Sequence, residues 1–310
     1  MKVFEAIEEI TGGARGAVVA IGNFDGVHLG HQALLAKTKQ MADAKQAPFG
    51  VLTFEPHPRA LFRPDDPPFR IASVELKRER LARSGADFVV SLPFNWDFAS
   101  QSADDFVENI LQKALAPAHV VVGADFRFGQ LRKGCTDTIA AHGIGVTPFA
   151  PVCGEGAEKY SSSDVRGALR IGDIEKANAI LGWDWEIRGT VQRGDRRGHE
   201  LGYPTANVPL GDILHPSYGI YATWAMIEGE SHWRMAATNI GIRPMFELKA
   251  GQVEAHILDM EDIDIYGKKL RIRPVRRLRG EAKFTSLEAL IEQIEADCAE
   301  ARKILAAPCG

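Results

Sequence analysis

The chain has 310 residues, of which 45% are hydrophobic and 25% charged, and its formal net charge is −4. Such a length exceeds one ordinary core and suits two domains of about 100–200 residues each, and the composition is that of a globular protein rather than a disordered one. The acidic balance argues against a general nucleic-acid binder, which carries a basic excess. The cysteines Cys135, Cys153, Cys298 and Cys309 form no CxxC pair and match no zinc spacing, so they are expected as reduced thiols in a cytoplasmic protein. Residues 1–10 lack the basic and apolar regions of a signal peptide. No apolar run approaches the roughly 20 residues of a transmembrane helix, so neither a nucleic-acid nor a membrane partner is expected.

In chain order, residues 18–21 read as a buried strand, followed by a glycine-rich turn and a helix over 28–44. Further strands are expected at 50–54, 88–90 and 119–123, with helices over 74–85 and 103–114. This β-α-β alternation predicts a parallel, doubly wound sheet, in which ligands bind beyond the carboxyl ends of the strands. One or two helices are expected over 163–181, with Asp164 and Asp173 near their starts and Gly182 as a stop. The pattern then changes. Short strands at 187–191, 219–227, 233–239 and 253–258, punctuated by Gly and Pro, predict a small antiparallel barrel or sandwich. Leu287, Leu290, Ile291 and Ile294 recur at helical spacing, so 287–305 closes the chain as an amphipathic helix. The boundary falls near Gly182, which divides the chain into domains 1–182 and 183–310.

Four segments of the first half carry chemistry. Gly22-Asn23-Phe24-Asp25-Gly26-Val27-His28-Leu29-Gly30-His31 follows the first strand directly. Its glycines let the backbone turn sharply and approach a ligand, and a helix starting there offers free N–H groups to phosphate. His28 and His31 share a helix face, so two imidazoles can donate to phosphate oxygens and stabilise charge that builds on them. The spacing is neither a Walker A loop nor HExxH; alone, it also fits a helix start with two surface histidines. Thr53-Phe54-Glu55-Pro56-His57-Pro58 aims Glu55 and His57 between two prolines, and alone fits a rigid loop. Gly123-Ala124-Asp125-Phe126-Arg127-Phe128-Gly129 sets a carboxylate and an arginine among aromatics, as suits a nucleotide, a flavin ring or equally an aromatic core corner. Ser161-Ser162-Ser163-Asp164-Val165-Arg166 opens a helix, where hydroxyls and a forked guanidinium suit phosphate, or where serine simply caps.

In this order the four segments resemble the FMN adenylyltransferase module of the bacterial riboflavin kinase/FAD synthetase family, one of the HxGH nucleotidyltransferases. Only the last departs, with Ser163 where the family often has threonine. The resemblance implies a Rossmann-like α/β domain in which Gly22, Phe24, His28, His31, Ser162, Ser163 and Arg166 bind ATP. It implies FMN beside Asn23, His57, Asp125, Phe126 and Phe128, with Mg²⁺ near Asp125. His28 and His31 are then the catalytic residues. No protein nucleophile is needed, because the FMN phosphate attacks the α-phosphorus of ATP, and catalysis is positioning plus charge stabilisation.

The second half opens with GTVQRGDRRGHELGYPTAN over 189–207. Dense glycine and basic residues without a Walker lysine suggest a loop whose backbone N–H groups form an anion nest. Thr205 and Asn207, two apart, face the same side of extended backbone and can ligate a hard cation such as Mg²⁺; alone, the stretch also fits a surface hairpin. Asn239-Ile240-Gly241-Ile242-Arg243-Pro244 reads as a tight turn after a strand. In the next strand Glu254 and His256 share a face. If that face turns into the site, Glu254 can take the proton of an alcohol that attacks a γ-phosphate; otherwise both residues are merely wet. With Asp264-Ile265-Tyr266-Gly267 and LRGEAKF over 278–284, these segments resemble the riboflavin kinase module of the same family. That resemblance implies an all-β six-stranded barrel with a C-terminal helix, Mg²⁺–ATP on Gly194, Thr205 and Asn207, riboflavin against Arg243 and Glu254, and Glu254 as base. The chain departs from the family at His199, where arginine is frequent, at Tyr203, where phenylalanine is commoner, and at Met245, where threonine is common.

The two resemblances imply a bifunctional enzyme that phosphorylates riboflavin to FMN and adenylylates FMN to FAD, using ATP at separate sites. An HxGH nucleotidyltransferase with another phosphate acceptor is a second reading; Pro204-Thr205-Ala206-Asn207 and Glu254 count against it. A non-catalytic flavin-binding regulator is a third; the intact His28, His31, Thr205, Asn207 and Glu254 count against that. Arg271, Arg273, Arg276, Arg277 and Arg279 form a basic run, read as a solvated strand face because the chain is acidic overall. A monomer or weak homo-oligomer is expected.

Overall fold

The computed structural model describes residues 1–154, 159–194, 201–245, 248–260 and 264–307, with backbone alone at 243–245 and 248–250. The chain forms two compact units, one of Met1–Pro67 with Val74–Ser161, the other of Pro68–Ser73 with Ser162–Gly310.

The first unit is built on β1 (Lys2–Phe4), β2 (Val18–Ile21), β3 (Phe49–Glu55), β4 (Phe88–Pro93), β5 (His119–Gly123) and β6 (Val146–Phe149). Between them come α1 (Leu29–Lys45), α2 (Pro58–Phe62), α3 (Val74–Arg83), α4 (Trp96–Ala99), α5 (Ala103–Asp105), which continues as a π-helix through Leu115, and α6 (Thr136–Ala141). The strands pair in parallel in the order β1-β4-β3-β2-β5-β6. Successive side chains leave opposite faces of a strand. Val19 and Ile21 therefore join Leu52, Val90 and Ile110 on one face, while Val18 and Ala20 join Leu35, Val51 and Val89 on the other. Both faces are buried, as the unbroken apolar run of β2 requires. The order reverses between β2 and β5, and the crevice beyond the carboxyl ends of strands at such a reversal is where open α/β sheets bind ligands. The loops after β2, β3 and β5 carry three of the four segments singled out above. The edge strands β1 and β6 went unread, the one because it has three residues, the other because Pro148 interrupts its pattern.

The second unit opens with α7 (Ser162–Ile171) and α8 (Ile174–Leu181). Asp173 caps α8 by accepting the Lys176 N–H at 2.9 Å, and Gly182 ends it in the left-handed region at φ 70°. Six antiparallel strands follow: β7 (Ile187–Thr190), β8 (Ala206–Pro209), β9 (Gly219–Ile227), β10 (Arg234–Met245), β11 (Leu248–Ile257) and β12 (Lys269–Arg279), in the order β7-β12-β9-β10-β11-β8. A bridge between Gln192 and Asn207 draws the two edges together, so the sheet nearly closes into a barrel. The last helix, α9 (Leu287–Ala306), lays Cys298, Ala301 and Leu305 on Ala222, Ala237 and Leu258. The strip Pro68–Ser73 belongs to this unit as well: Trp185 Nε1–H donates to the Ile71 carbonyl at 2.7 Å, and Arg70 pairs with Asp212 at 3.0 Å.

Except at the exposed Arg276, the arginines of β12 correct the expectation of a solvated face. Arg271 and Arg273 converge with Arg188 on Glu186, whose side chain is 0% exposed. Arg276 pairs with Glu175, Arg277 donates to the Tyr218 carbonyl at 2.7 Å, and Arg279 grips Asp297 at 2.7 Å. Burial pushes the Glu186 carboxyl up, but Arg271 and Arg188 outweigh it and hold the group below its ordinary range. Arg276 and Glu175 are both exposed, so that position is solvated as expected, whereas Arg271, Arg273, Arg277 and Arg279 are half-buried on their acceptors and serve the fold.

Candidate active sites

In the first unit the chain leaves β2 through Phe24 at φ 49°, Gly26 at φ 80° and Val27 at φ 39°. Left-handed backbone is uncommon for residues with a Cβ and an outlier for a β-branched one, so strain is concentrated in this loop. The buried Phe24 lays its ring against Gly22 and, edge on, against His31 at 5.2 Å. His28 is the N-cap of α1, its Nδ1 accepting the His31 N–H at 3.4 Å. A ring nitrogen that accepts carries no proton, so the neutral His28 ring bears its N–H on Nε2. The two imidazoles stack at 3.7 Å. Gly30 makes this possible: a Cβ there would stand 3.1 Å from the His28 ring and 3.3 Å from the Tyr160 carbonyl. No acidic side chain occupies the first turn of α1, and the partial positive charge of a helix start favours an anion there.

The neighbouring loops bring the other expected residues. The Asn23 carbonyl accepts from Thr53 Oγ1 at 3.2 Å and lies 3.5 Å from Nζ of the buried Lys77, which pairs with Glu55. Lys77 went unread, because a lysine in a charged helix carries no signal of being buried. His57 caps α2 by accepting the Arg59 N–H at 3.1 Å. Asp125 is exposed and pairs with Lys159 at 3.3 Å. Phe126 stacks on Phe128 at 5.5 Å, and Phe128 is buried against Phe106, so of the pair Phe126 presents the accessible surface. Ser162, Ser163 and Arg166 belong to the second unit, where Ser162 opens α7 and Arg166 Nε–H donates to the Phe69 carbonyl at 2.9 Å.

In the second unit Asn239, Glu254, Asn207 and Gln192 stand directly opposite one another across β10, β11, β8 and the bridge. Residues in one such row share a face. The opposite face of β11, with Val253, Ala255 and Ile257, fills the barrel core. A cavity of about 340 Å³ lies on the polar face, with Thr205, Asn239, Glu254 and His256 on the barrel side and Ile294 and Cys298 on α9. The face bearing Glu254 therefore turns into a cavity rather than into open solvent. Asn207 is held by both ends of its amide: Nδ2–H donates to the Thr205 carbonyl at 3.2 Å, and Oδ1 accepts from Gln252 at 2.7 Å. Gly194 is where this amide needs room, since a Cβ there would lie 2.5 Å from Asn207 Nδ2. The Arg279–Asp297 pair ties β12 to α9, and burial pushes the Cys298 thiol up, away from reactivity. None of these α9 residues had a motif to mark it. The side chains of Arg243 and Met245, and His199 altogether, lie outside the described residues.

Among the described residues no three His, Cys, Asp or Glu side chains converge to hold a metal. Thr205 and Asn207 offer two neutral oxygens, a set that fits Mg²⁺ arriving on phosphates and keeping most of its waters.

A family model described as FAD synthetase matches residues 11–164, and one described as riboflavin kinase matches residues 181–305. The chain is 36% identical over 308 residues to the bifunctional riboflavin kinase/FMN adenylyltransferase of Escherichia coli strain K12, covering 98% of this chain and 97% of that one. It is 39% identical over 313 residues to the Pseudomonas fluorescens protein of the same name, covering 99% of each. A crystal structure described as a macrolide-efflux protein from Streptococcus pneumoniae matches with a TM-score of 0.85 at 30% identity, covering 97% of this chain and 98% of that one. Among the described residues no helix is long and apolar enough to cross a membrane. The chain belongs to the bifunctional riboflavin kinase/FMN adenylyltransferase family.

Proposed function

We propose that the chain makes flavin cofactors in two ATP-dependent steps at two separate sites, with residues 183–310 phosphorylating riboflavin and residues 1–182 adenylylating the FMN formed. The observation that supports this reading is that each unit gathers its own set of residues suited to phosphate, the stacked His28 and His31 at a helix start in one and Thr205, Asn207 and Glu254 in the other. A nucleotidyltransferase with another acceptor would leave the riboflavin kinase match unexplained.

In the kinase step Glu254 takes the proton of the ribityl hydroxyl as that oxygen attacks the γ-phosphorus and ADP leaves. The cavity beside it seats the flavin, and Arg243 is assigned to the flavin by its motif alone. Gly194, Thr205 and Asn207 hold ATP and its Mg²⁺, which when bound spreads the charge of the phosphates. In the adenylyl step an oxygen of the FMN phosphate attacks the α-phosphorus and pyrophosphate leaves. His28 and His31 donate to the phosphate oxygens, and Gly22 and Phe24 shape the loop that presents them. Asn23, His57, Asp125, Phe126 and Phe128 form or support the flavin side, with Mg²⁺ near Asp125. For Ser162, Ser163 and Arg166 the ATP role rests on the motif alone. We place the enzyme in the cytoplasm as a monomer or weak homo-oligomer; the described cysteines are free thiols, in keeping with a reducing compartment.

The test is a chromatographic time course of the purified chain with riboflavin, ATP and Mg²⁺. FMN appearing first and FAD after it supports both steps. Failure to convert either riboflavin or supplied FMN refutes the reading.

A further inference from the structure

We infer that His256 is a positioning residue for the nucleotide side of the kinase site, holding the Pro204 carbonyl and so fixing where Thr205 stands beside Glu254. The inference rests on the kinase reading of the cavity.

The β8 ladder begins at Ala206, opposite Ala255 of β11. The next rung back would set Thr205 opposite His256. Behind it stands Pro204, which has no N–H to donate and cannot extend a ladder. Backbone pairing therefore stops just where the nucleotide residue must be held. Side chains take over. His256 Nδ1 lies 2.9 Å from the Pro204 carbonyl oxygen. A carbonyl only accepts, so Nδ1 carries the proton. On the other side of Thr205, Asn207 donates to the Thr205 carbonyl at 3.2 Å.

The same segment is gripped from the opposite wall of the cavity. The Tyr203 ring meets His256 edge to face at 5.4 Å, and its hydroxyl donates to Glu295 of α9 at 3.1 Å. Glu254 and His256 line one cavity, but they divide its work. The carboxylate faces the substrate, while His256 spends its Nδ1–H on backbone. Without His256 the stretch Tyr203-Pro204-Thr205 loses its hydrogen bond to β11.

The test is steady-state riboflavin phosphorylation by the full-length chain, with ATP and riboflavin each varied, for wild type, His256→Ala and His256→Asn. Asparagine sets an amide N–H close to where Nδ1 stands. The KM for ATP should rise about tenfold in His256→Ala, as befits one hydrogen bond and the order it imposes. kcat and the KM for riboflavin should change far less, and His256→Asn should recover most of the loss. Adenylylation of supplied FMN should be unchanged in both variants. An unchanged KM for ATP in His256→Ala, a loss confined to kcat, or an asparagine variant no better than alanine would overturn the inference. If His256→Ala no longer quenches riboflavin fluorescence, because the barrel has not folded, His256→Asn against His256→Gln decides. Glutamine carries its amide one methylene too far, so equal KM values for ATP would again overturn the inference. A wild-type chain that phosphorylates no riboflavin overturns both this and the kinase reading, whereas an active wild type with an unaltered His256→Ala overturns this alone.

Discussion

Gly194→Ala tests the kinase site with a single methyl group. The added Cβ would lie 2.5 Å from Asn207 Nδ2 and 2.8 Å from its Cγ and Oδ1, so the amide must swing away. Two hydrogen bonds go with it, Asn207 to the Thr205 carbonyl at 3.2 Å and Gln252 to Asn207 at 2.7 Å. Asn207 is only 6% exposed, so water does not replace them freely. At about 1 kcal/mol for each bond, with a part of the desolvation cost of an unpaired amide, the loss is about 2–3 kcal/mol. Expressed in ATP binding, that is roughly a 30- to 150-fold rise in the KM for ATP of riboflavin phosphorylation. The assay is riboflavin phosphorylation over an ATP titration, with adenylylation of supplied FMN as the internal control that should not change. Asn207→Ala makes room for the methyl, so Gly194→Ala added to it should do little more, a non-additivity that marks direct contact. A Gly194→Ala chain with the wild-type KM for ATP and kcat would refute the reasoning.

Further outcomes follow from other contacts. Glu186→Ala strands Arg188, Arg271 and Arg273 without their buried carboxylate and should cost about 3–5 kcal/mol in urea unfolding at neutral pH. The folded Glu186 pKa lies below its ordinary value of 4.5, so its contribution is fully present above that value and is lost as pH falls through it towards the folded pKa; Glu186→Gln should flatten the acid limb of the stability–pH curve there, and an unchanged limb would count against the assignment. Glu281 also lines the cavity beside Glu254, and Gly241→Ala should evict its carboxylate, which lies 2.5 Å from the added Cβ at the far end of a flexible side chain; the riboflavin KM should move while Tm does not, and the reverse would contradict a role for Glu281 at the site. Gly30→Ala pushes on the His28 ring from 3.1 Å and should slow FAD formation from FMN without touching FMN formation from riboflavin.

The loops proposed to face phosphate stand out in the sequence by their unusual composition. Glycines at close approaches, paired histidines at a helix start and a proline that ends a ladder all leave marks in the sequence. The strands β2, β3 and β5 were legible because buried parallel strands read as apolar runs. What escaped depends on distant parts of the chain meeting. Pro68–Ser73 looks like a loop after α2 and is claimed by the second unit through Trp185 and Asp212. Lys77 reads as one charge among several on α3, and only the fold sets it against Glu55 and the Asn23 carbonyl. Arg271, Arg273, Arg277 and Arg279 look solvated in the sequence because their acceptors are contributed by residues 186, 218 and 297. Alternation could put Glu254 and His256 on one face, but not say that the face is covered. That needed α9, which docks on the barrel about forty residues later in the chain and supplies the second wall of the cavity.

The central claim is that two separate sites perform the two steps, and it is tested most directly by His28→Ala and Glu254→Gln assayed in parallel. Each variant is given riboflavin or FMN with ATP and Mg²⁺, and products are separated by chromatography. The account predicts that His28→Ala still makes FMN from riboflavin but little FAD, whereas Glu254→Gln still makes FAD from supplied FMN but little FMN from riboflavin. Loss of both activities through either single change in a folded protein, or retention of both, would contradict it.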